Sequence, residues 1–258
     1  MNSPLLIVQA RMGSTRLPGK VLKPVGDKTL IQVMIERLQQ ANLVGKIVVA
    51  TTNNSNDDVI ELECSRLNVD CFRGSEHNLF ERHYQCALAY GANVILKIPS
   101  DCPLIDPSIV DKGIELFQNS DYDYISNLHP ESYPDGQDVE VFSFHALEKA
   151  RQLVKADHEL EHTTPIFWLN PHQFNISNFS VDEDLSRVYR IVVDYQEDYL
   201  LVKKIYETLS PLSNFFSVSE IICFLRENPA IALINQMHIG KNWYTNLINH
   251  DSPLTPQG

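Results

Sequence analysis

Residues 5–20 read Leu5-Leu6-Ile7-Val8-Gln9-Ala10-Arg11-Met12-Gly13-Ser14-Thr15-Arg16-Leu17-Pro18-Gly19-Lys20. Four consecutive apolar residues, closed by a polar stretch with two glycines, mark a strand buried on both faces. A glycine-bearing cationic loop directly after a buried first strand is the arrangement of open α/β sheets, which bind ligands beyond the carboxyl ends of their strands. The pattern continues outward from there. Leu30, Ile31, Met34, Ile35 and Leu38 recur at helical spacing within 29–41, and Lys46–Thr52 is the next strand. After the turn with Asn53, Asn54 and Asn56, either Asp57 or Asp58 can cap the following helix. Val69–Phe72 predicts a short strand, Leu79–Tyr90 a helix, Val94–Ile98 a strand, and Pro107 opens a helix reaching about Phe117. Strands alternating with helices predict an α/β fold, a mostly parallel sheet with helices on both faces.

Past residue 120 the rhythm changes. Tyr122–Ser126 and Val139–Phe144 predict strands on either side of a turn-rich stretch, followed by a charged helix over Glu159–Trp168 and a strand near Phe174–Phe179. These elements form a smaller α+β lobe, about 122–180, inserted in the main sheet. Arg190–Val193 returns to strand, Tyr199–Leu209 and Val218–Arg226 to helix. Residues 1–258 thus read as a single domain with a C-terminal helical extension over about 211–250 and a frayed tail from Ser252.

Of the 258 residues 43% are hydrophobic and 21% charged, which excludes wholesale disorder. The net charge of −12 repels polyanions, and no basic stripe is present, so a nucleic-acid partner is not expected. The five cysteines, Cys64, Cys71, Cys86, Cys102 and Cys223, form no C-x-x-C pair and suggest reduced thiols. No apolar run approaches the length of a membrane span, and residues 1–8 lack the pattern of a signal peptide, so a soluble cytoplasmic protein is expected.

Three segments carry the chemistry. In the first loop Gly13 and Gly19 permit tight turns, Ser14 and Thr15 add hydroxyls, and Arg11, Arg16 and Lys20 can surround a triphosphate and stabilise a leaving pyrophosphate. The loop is neither a Walker A sequence nor a G-x-G-x-x-G fingerprint. In Ser100-Asp101-Cys102-Pro103, Asp101 ends an apolar strand, where it can hold magnesium against phosphate oxygens or else cap the turn before Pro103. In Val193-Asp194-Tyr195-Gln196-Glu197-Asp198, Asp194 is the better metal candidate and Asp198 suits the start of the next helix. Spacing alone does not bring Asp101 and Asp194 together.

The segments IVQARMGSTRLPGK, CFRGSE, SDCPLID, YPDGQDVEVFS and VVDYQEDYLLVKKIY resemble the cytidylyltransferase family, and within it the SpsF-like branch of spore-coat polysaccharide synthesis, over most of residues 4–210. The resemblance implies a nucleotide-diphosphosugar-transferase-like fold, with CTP as donor and a sugar or sugar-acid acceptor whose hydroxyl attacks the α-phosphorus. It implies that Ala10, Arg11, Met12, Gly13, Ser14, Arg16, Lys20 and Ser100 bind the nucleotide, with Arg73 near the base. It also implies Mg2+ on Asp101 and Asp194, and an acceptor faced by Gly136, Asp138, Glu140 and His162. Arg11, Arg16, Lys20 and Asp101 are the candidate catalytic set, and a homodimer through the smaller lobe is expected. The chain departs from the family pattern at Pro99, where relatives carry a polar side chain that can touch the base, and at Val192 and Tyr189. Two other readings stand beside this one. A glycosyltransferase would use Asp121-Tyr122-Asp123 as a D-x-D metal motif, and a silent sugar-nucleotide binding module would keep the loop without turnover.

Overall fold

Leu5–Gln9 forms strand β1, an interior strand of a seven-stranded sheet. The computed structural model describes residues 3–155, 157–213 and 215–242; the tail from Ser252 and the end of the C-terminal extension lie outside the described residues. Along the chain come β2 (Pro24–Val25), β3 (Lys28–Thr29), α1 (Leu30–Leu38), β4 (Lys46–Thr52), α2 (Asp58–Arg66), β5 (Asp70–Gly74), α3 (Leu79–Ala89), β6 (Val94–Pro99) and α4 (Pro107–Gln118). The second half supplies β7 (Tyr124–Ser126), β8 (Glu140–Ser143), α5 (Phe144–Leu153), α6 (Asp157–His162), α7 (Pro165–Trp168), β9 (Ile176–Asn178), α8 (Gln196–Leu209), α9 (Val218–Glu227) and α10 (Pro229–Ala232).

The strand order is β5-β4-β1-β6-β8-β7-β9. The first four are mutually parallel, β8 is antiparallel to both β6 and β7, and β9 is parallel to β7. The mostly parallel α/β expectation holds. Pleat alternation divides β1 between two cores. Leu6 and Val8 pack with Ile31, Met34 and Ile35 of α1 and Ile60 of α2, whereas Leu5 and Ile7 pack with Phe80 of α3 and Leu147 of α5. A third cluster joins Val25, Leu30 and Leu104 to Val202 of α8 and Ile221 of α9. Arg37 fastens this C-terminal layer to the sheet, since its guanidinium donates to the carbonyls of Ile105 and Phe216, both at 2.8 Å.

Residues 122–180 contribute β7, β8 and β9 to the same sheet as β1. Four local expectations are corrected. Phe144 does not end a strand but opens helix α5, capped by Ser143, whose Oγ accepts the Ala146 N–H at 3.0 Å. The charged helix over 159–168 is two short helices, because Thr163 adopts φ 61° and Pro165 starts a new one. Arg190–Val193 is not a sheet strand. It crosses the carboxyl end of the sheet, with Ile191 N–H donating to Asp135 O at 2.7 Å and Val193 N–H to Asp101 O at 2.8 Å. Asp57 occupies the N-cap position of α2, but its side chain makes no cap and turns instead toward the first loop.

Candidate active site

The carboxyl ends of β1 and β6 meet the start of β8 around an open cleft. One wall is the loop after β1. Its shape is set by Gly19, at φ 66°, whose N–H donates to Met12 O, and by Asp57, which is buried and accepts the Met12 N–H at 2.8 Å. The other Asp57 oxygen accepts from Thr51 Oγ1, from Thr52 N–H and from Thr52 Oγ1 at 2.5 Å. Burial alone would raise its pKa, but these donors hold it below the usual carboxylate range.

Lys20 organises the floor. Its Nζ lies 3.0 Å from Asp101 Oδ2 and 2.9 Å from Asp194 Oδ1, so two aspartates 93 residues apart in sequence face one ammonium. Burial works against the Lys20 charge, yet the attraction of Asp101 and Asp194 prevails and raises its pKa. Asp194 also pairs with Arg16 Nη2 at 2.8 Å and Arg190 Nη2 at 3.0 Å. Burial would push Asp194 up; Lys20 first, then Arg16 and Arg190, hold it down.

Arg190 is 2% exposed and forks among three carboxylates, Asp135 at 2.5 Å, Asp194, and Asp198 at 3.1 Å. Asp198 accepts the N–H groups of Asp194 and Tyr195 at 3.1 and 3.0 Å, the helix-start role expected for it. Burial pushes Asp135 up to about 7 against the pull of Arg190 and carries Asp138 well above the carboxylate range, with Asp135 and Asp101 adding repulsion.

Beyond this floor the cleft runs between Lys97, Glu140, His129 and the α6–α7 turn. Glu140 is fully engaged, with Lys97 Nζ at 2.5 Å and Tyr124 OH at 2.6 Å. Burial would raise its carboxyl, and Lys97 keeps it low. Burial also lowers His129 to about 4, so this ring is neutral at physiological pH; it lies 4.4 Å from the Trp168 ring.

The fold brings Ala10, Arg11, Ser14, Arg16, Lys20, Ser100, Asp101, Asp138, Glu140, His162 and Asp194 to one cleft. It does not bring Met12, Gly13, Gly136 or Arg73 to the lining. Met12 faces Asp57 through its N–H, and a side chain at Gly13 would meet open space. Gly136, at φ 108°, lets the chain pass Val192, whose N would lie 2.6 Å from an added Cβ. Arg73 is turned outward. It pairs with Asp58 at 2.5 Å and Glu61 at 2.9 Å, and donates to the Thr52 and Asn54 carbonyls. The arginine that this end of the cleft does receive is Arg82 of α3, buried and lowered to about 10 by burial with Arg11 nearby.

Sequence reading missed Arg82, Arg190, Asp135 and Lys97. A signal existed for three of them. Arg82 falls three residues after Leu79 on the apolar face of its helix, and Lys97 and Arg190 interrupt apolar runs, where a charge must find a partner. The magnesium expected on Asp101 and Asp194 fits these residues. Their two oxygens converge on one cation-sized position, and an all-oxygen pair completed by substrate phosphates is what that ion takes. Among the described residues no group of three or more His, Cys, Asp or Glu side chains forms a cage by itself.

This fold, with a cationic loop closing on two carboxylates at the carboxyl end of the sheet, defines a nucleotidyltransferase. The chain belongs to the cytidylyltransferase family, whose model matches residues 5–236. It is 34% identical to the spore coat polysaccharide biosynthesis protein SpsF of Bacillus subtilis, over 90% of this chain and 98% of that protein. A 3-deoxy-manno-octulosonate cytidylyltransferase of Trichlorobacter lovleyi is 35% identical over 43% of each chain. The solved structure of a cytidylyltransferase from Leptospira borgpetersenii superposes with a TM-score of 0.86 at 32% identity, covering 94% of this chain and 99% of that one.

Proposed function

We propose that this enzyme transfers CMP from CTP to a hydroxyl of a sugar or sugar-like acid, releasing pyrophosphate, in the synthesis of a surface polysaccharide. The observation that carries the proposal is the Lys20 ammonium held between Asp101 and Asp194, because it joins the cationic loop to both carboxylates at this end of the sheet. Arg11, Arg16 and Lys20 line the wall where the β- and γ-phosphates would lie, and their charge stabilises the departing pyrophosphate. Asp101 and Asp194 would hold Mg2+, which neutralises phosphate charge when bound. The acceptor would lie toward Asp138, Glu140 and His162 and be oriented there for in-line attack.

The glycosyltransferase reading loses its motif. Asp123 Oδ2 accepts the Asn175 N–H at 2.9 Å, the Asp121 carbonyl accepts from Asn175 Nδ2 at 3.2 Å, and neither aspartate lines the cleft. A cytoplasmic homodimer belongs to the same proposal and rests on the family resemblance; light scattering tests the stoichiometry. The function is tested by pyrophosphate release with each of the four nucleoside triphosphates against a panel of sugars, sugar acids and sugar phosphates. Release with CTP and a sugar-type acceptor is the expected result. Binding of CTP without release under any acceptor would favour the silent module.

A further inference from the structure

The end of the cleft beyond the phosphate loop holds two buried polar atoms that the protein itself leaves unused. One is Gln9 Oε1 and the other Arg82 Nε; neither has a hydrogen-bond partner among the described residues. A buried group left unpaired costs stability, so two of them on one cleft wall point to a ligand that supplies the missing bonds. They are also opposite in kind, an acceptor and a donor.

Their placement follows from the pleat. Leu5 and Ile7 face the α3 side of the sheet, so Gln9, two residues further along β1, projects to that side as well. Arg82 comes down onto this side from α3, with its Nη1 donating to the Ser75 carbonyl at 3.1 Å. Across the parallel ladder, Gln9 stands in register with Pro99 at the end of β6. Pro99 offers neither an N–H nor a polar side chain, so a planar ligand lying between β1, β6 and α3 takes its polar contacts from Gln9 and Arg82. Leu79 and Pro99 supply apolar surface on the same cleft.

We propose that Gln9 is a base-specificity residue: its side-chain carbonyl accepts the exocyclic amine of cytosine, while Arg82 donates to a ring acceptor of the same base. This inference rests on the cytidylyl-transfer reading above. Cytosine presents a donor at position 4 and acceptors at N3 and O2, which match one orphaned acceptor and one orphaned donor. Uracil presents a carbonyl at position 4, which faces Gln9 Oε1 oxygen to oxygen unless the amide turns over. Discrimination therefore comes from the base end of the ligand and is independent of the phosphates.

The test uses the full chain and titrates CMP and UMP calorimetrically, with tripolyphosphate as a probe of the phosphate wall alone. Wild type is expected to prefer CMP by about tenfold, the equivalent of one hydrogen bond. Gln9→Leu should bring the ratio to within about twofold while leaving tripolyphosphate affinity unchanged, a separation that a merely structural role would not produce. Gln9→Glu keeps an acceptor at the same place and should retain the CMP preference, and it decides the matter if the leucine variant fails to fold. A folded Gln9→Leu protein with the wild-type ratio, or a Gln9→Glu protein without preference, overturns the role of Gln9 and leaves cytidylyl transfer standing. A wild type that binds UMP as well as CMP overturns both.

Discussion

Replacing Arg190 by methionine removes the one cation that Asp135, Asp194 and Asp198 share. Methionine fills much of the same volume, so the loss is mainly one of charge. Asp198 keeps Asn235 Nδ2 at 2.7 Å and two backbone N–H groups, and Asp194 keeps Lys20 and Arg16. Asp135 is left buried beside Glu131, Asp101 and Asp194, whose charges all oppose its own. Stripping one partner from a buried ion pair costs about 3–5 kcal/mol, and the two better-supported carboxylates keep the total in that range. The penalty has a pH dependence of known sign. Asp135 already ionises near 7 in the folded protein, above its unfolded value, so its charged form opposes folding as pH rises through that point. Without Arg190 that carboxyl stays protonated to higher pH, and Asp194 loses part of what holds it low. The variant's deficit should therefore grow from pH 5 to pH 8. Urea denaturation at pH 5, 6.5 and 8 measures it. Arg190→Lys should recover only part of the loss, since a compact ammonium cannot reach all three carboxylates that Arg190 spans from three separate nitrogens. A deficit below about 1 kcal/mol at pH 8, or one that does not change with pH, would refute the reasoning.

Asp57→Asn removes the charge that four donors share, and should cost about 1.5–3 kcal/mol in urea denaturation while raising KM for CTP through the loosened Met12 anchor. Because the Asp57 pKa is depressed, its contribution is present above the unfolded carboxylate value and disappears as pH falls through the folded one, so wild type and variant should converge in acid. Arg16→Ala should weaken CTP binding by about tenfold and CMP binding much less; Arg16 is half-exposed and must leave Asp194 to reach a phosphate, which places it at the low end for charge-assisted contacts. Equal losses for both ligands would remove Arg16 from the phosphate wall. Asp101→Asn should cut pyrophosphate release by at least about a hundredfold with little change in melting temperature. Asp194→Asn should lower both, because Asp194 also neutralises Arg190, and the double variant should lose far less activity than the product of the single losses. A folded Asp101→Asn protein with normal turnover would contradict the site.

The first half of the fold was legible because its signals are local. Four apolar residues at 5–8, the helical spacing of 30–38 and the apolar runs at 46–52 and 94–98 each declare one element. The cationic loop was legible for the same reason, as Arg11, Arg16 and Lys20 lie within ten residues. What stayed hidden depends on long-range meetings. Asp135 meets Arg190 across 55 residues and Asp57 meets Met12 across 45, and no window of sequence contains either pair. Arg73 and Arg82 show how little separates a right from a wrong assignment. Both are arginines near the strand after Asn68, but Arg73 leans back onto α2 while the helix periodicity of α3 turns Arg82 inward. The 190–193 segment misled because it is as apolar as a strand. Its apolar residues are buried by the C-terminal helices and by the chain it crosses, not by neighbouring strands.

Lys20 has a consequence for how the Asp101–Asp194 pair is held when no ion is bound. Where a structural metal site forms only on folding, the ion supplies folding energy and a chelator unfolds the domain. Here an ammonium already sits between Asp101 and Asp194, so their mutual repulsion is neutralised by the chain itself. A divalent ion held by the same two carboxylates would replace a tethered charge instead of filling a void. Removal of divalent ions is therefore expected to leave the melting temperature unchanged, because the Lys20 ammonium already balances both carboxylates.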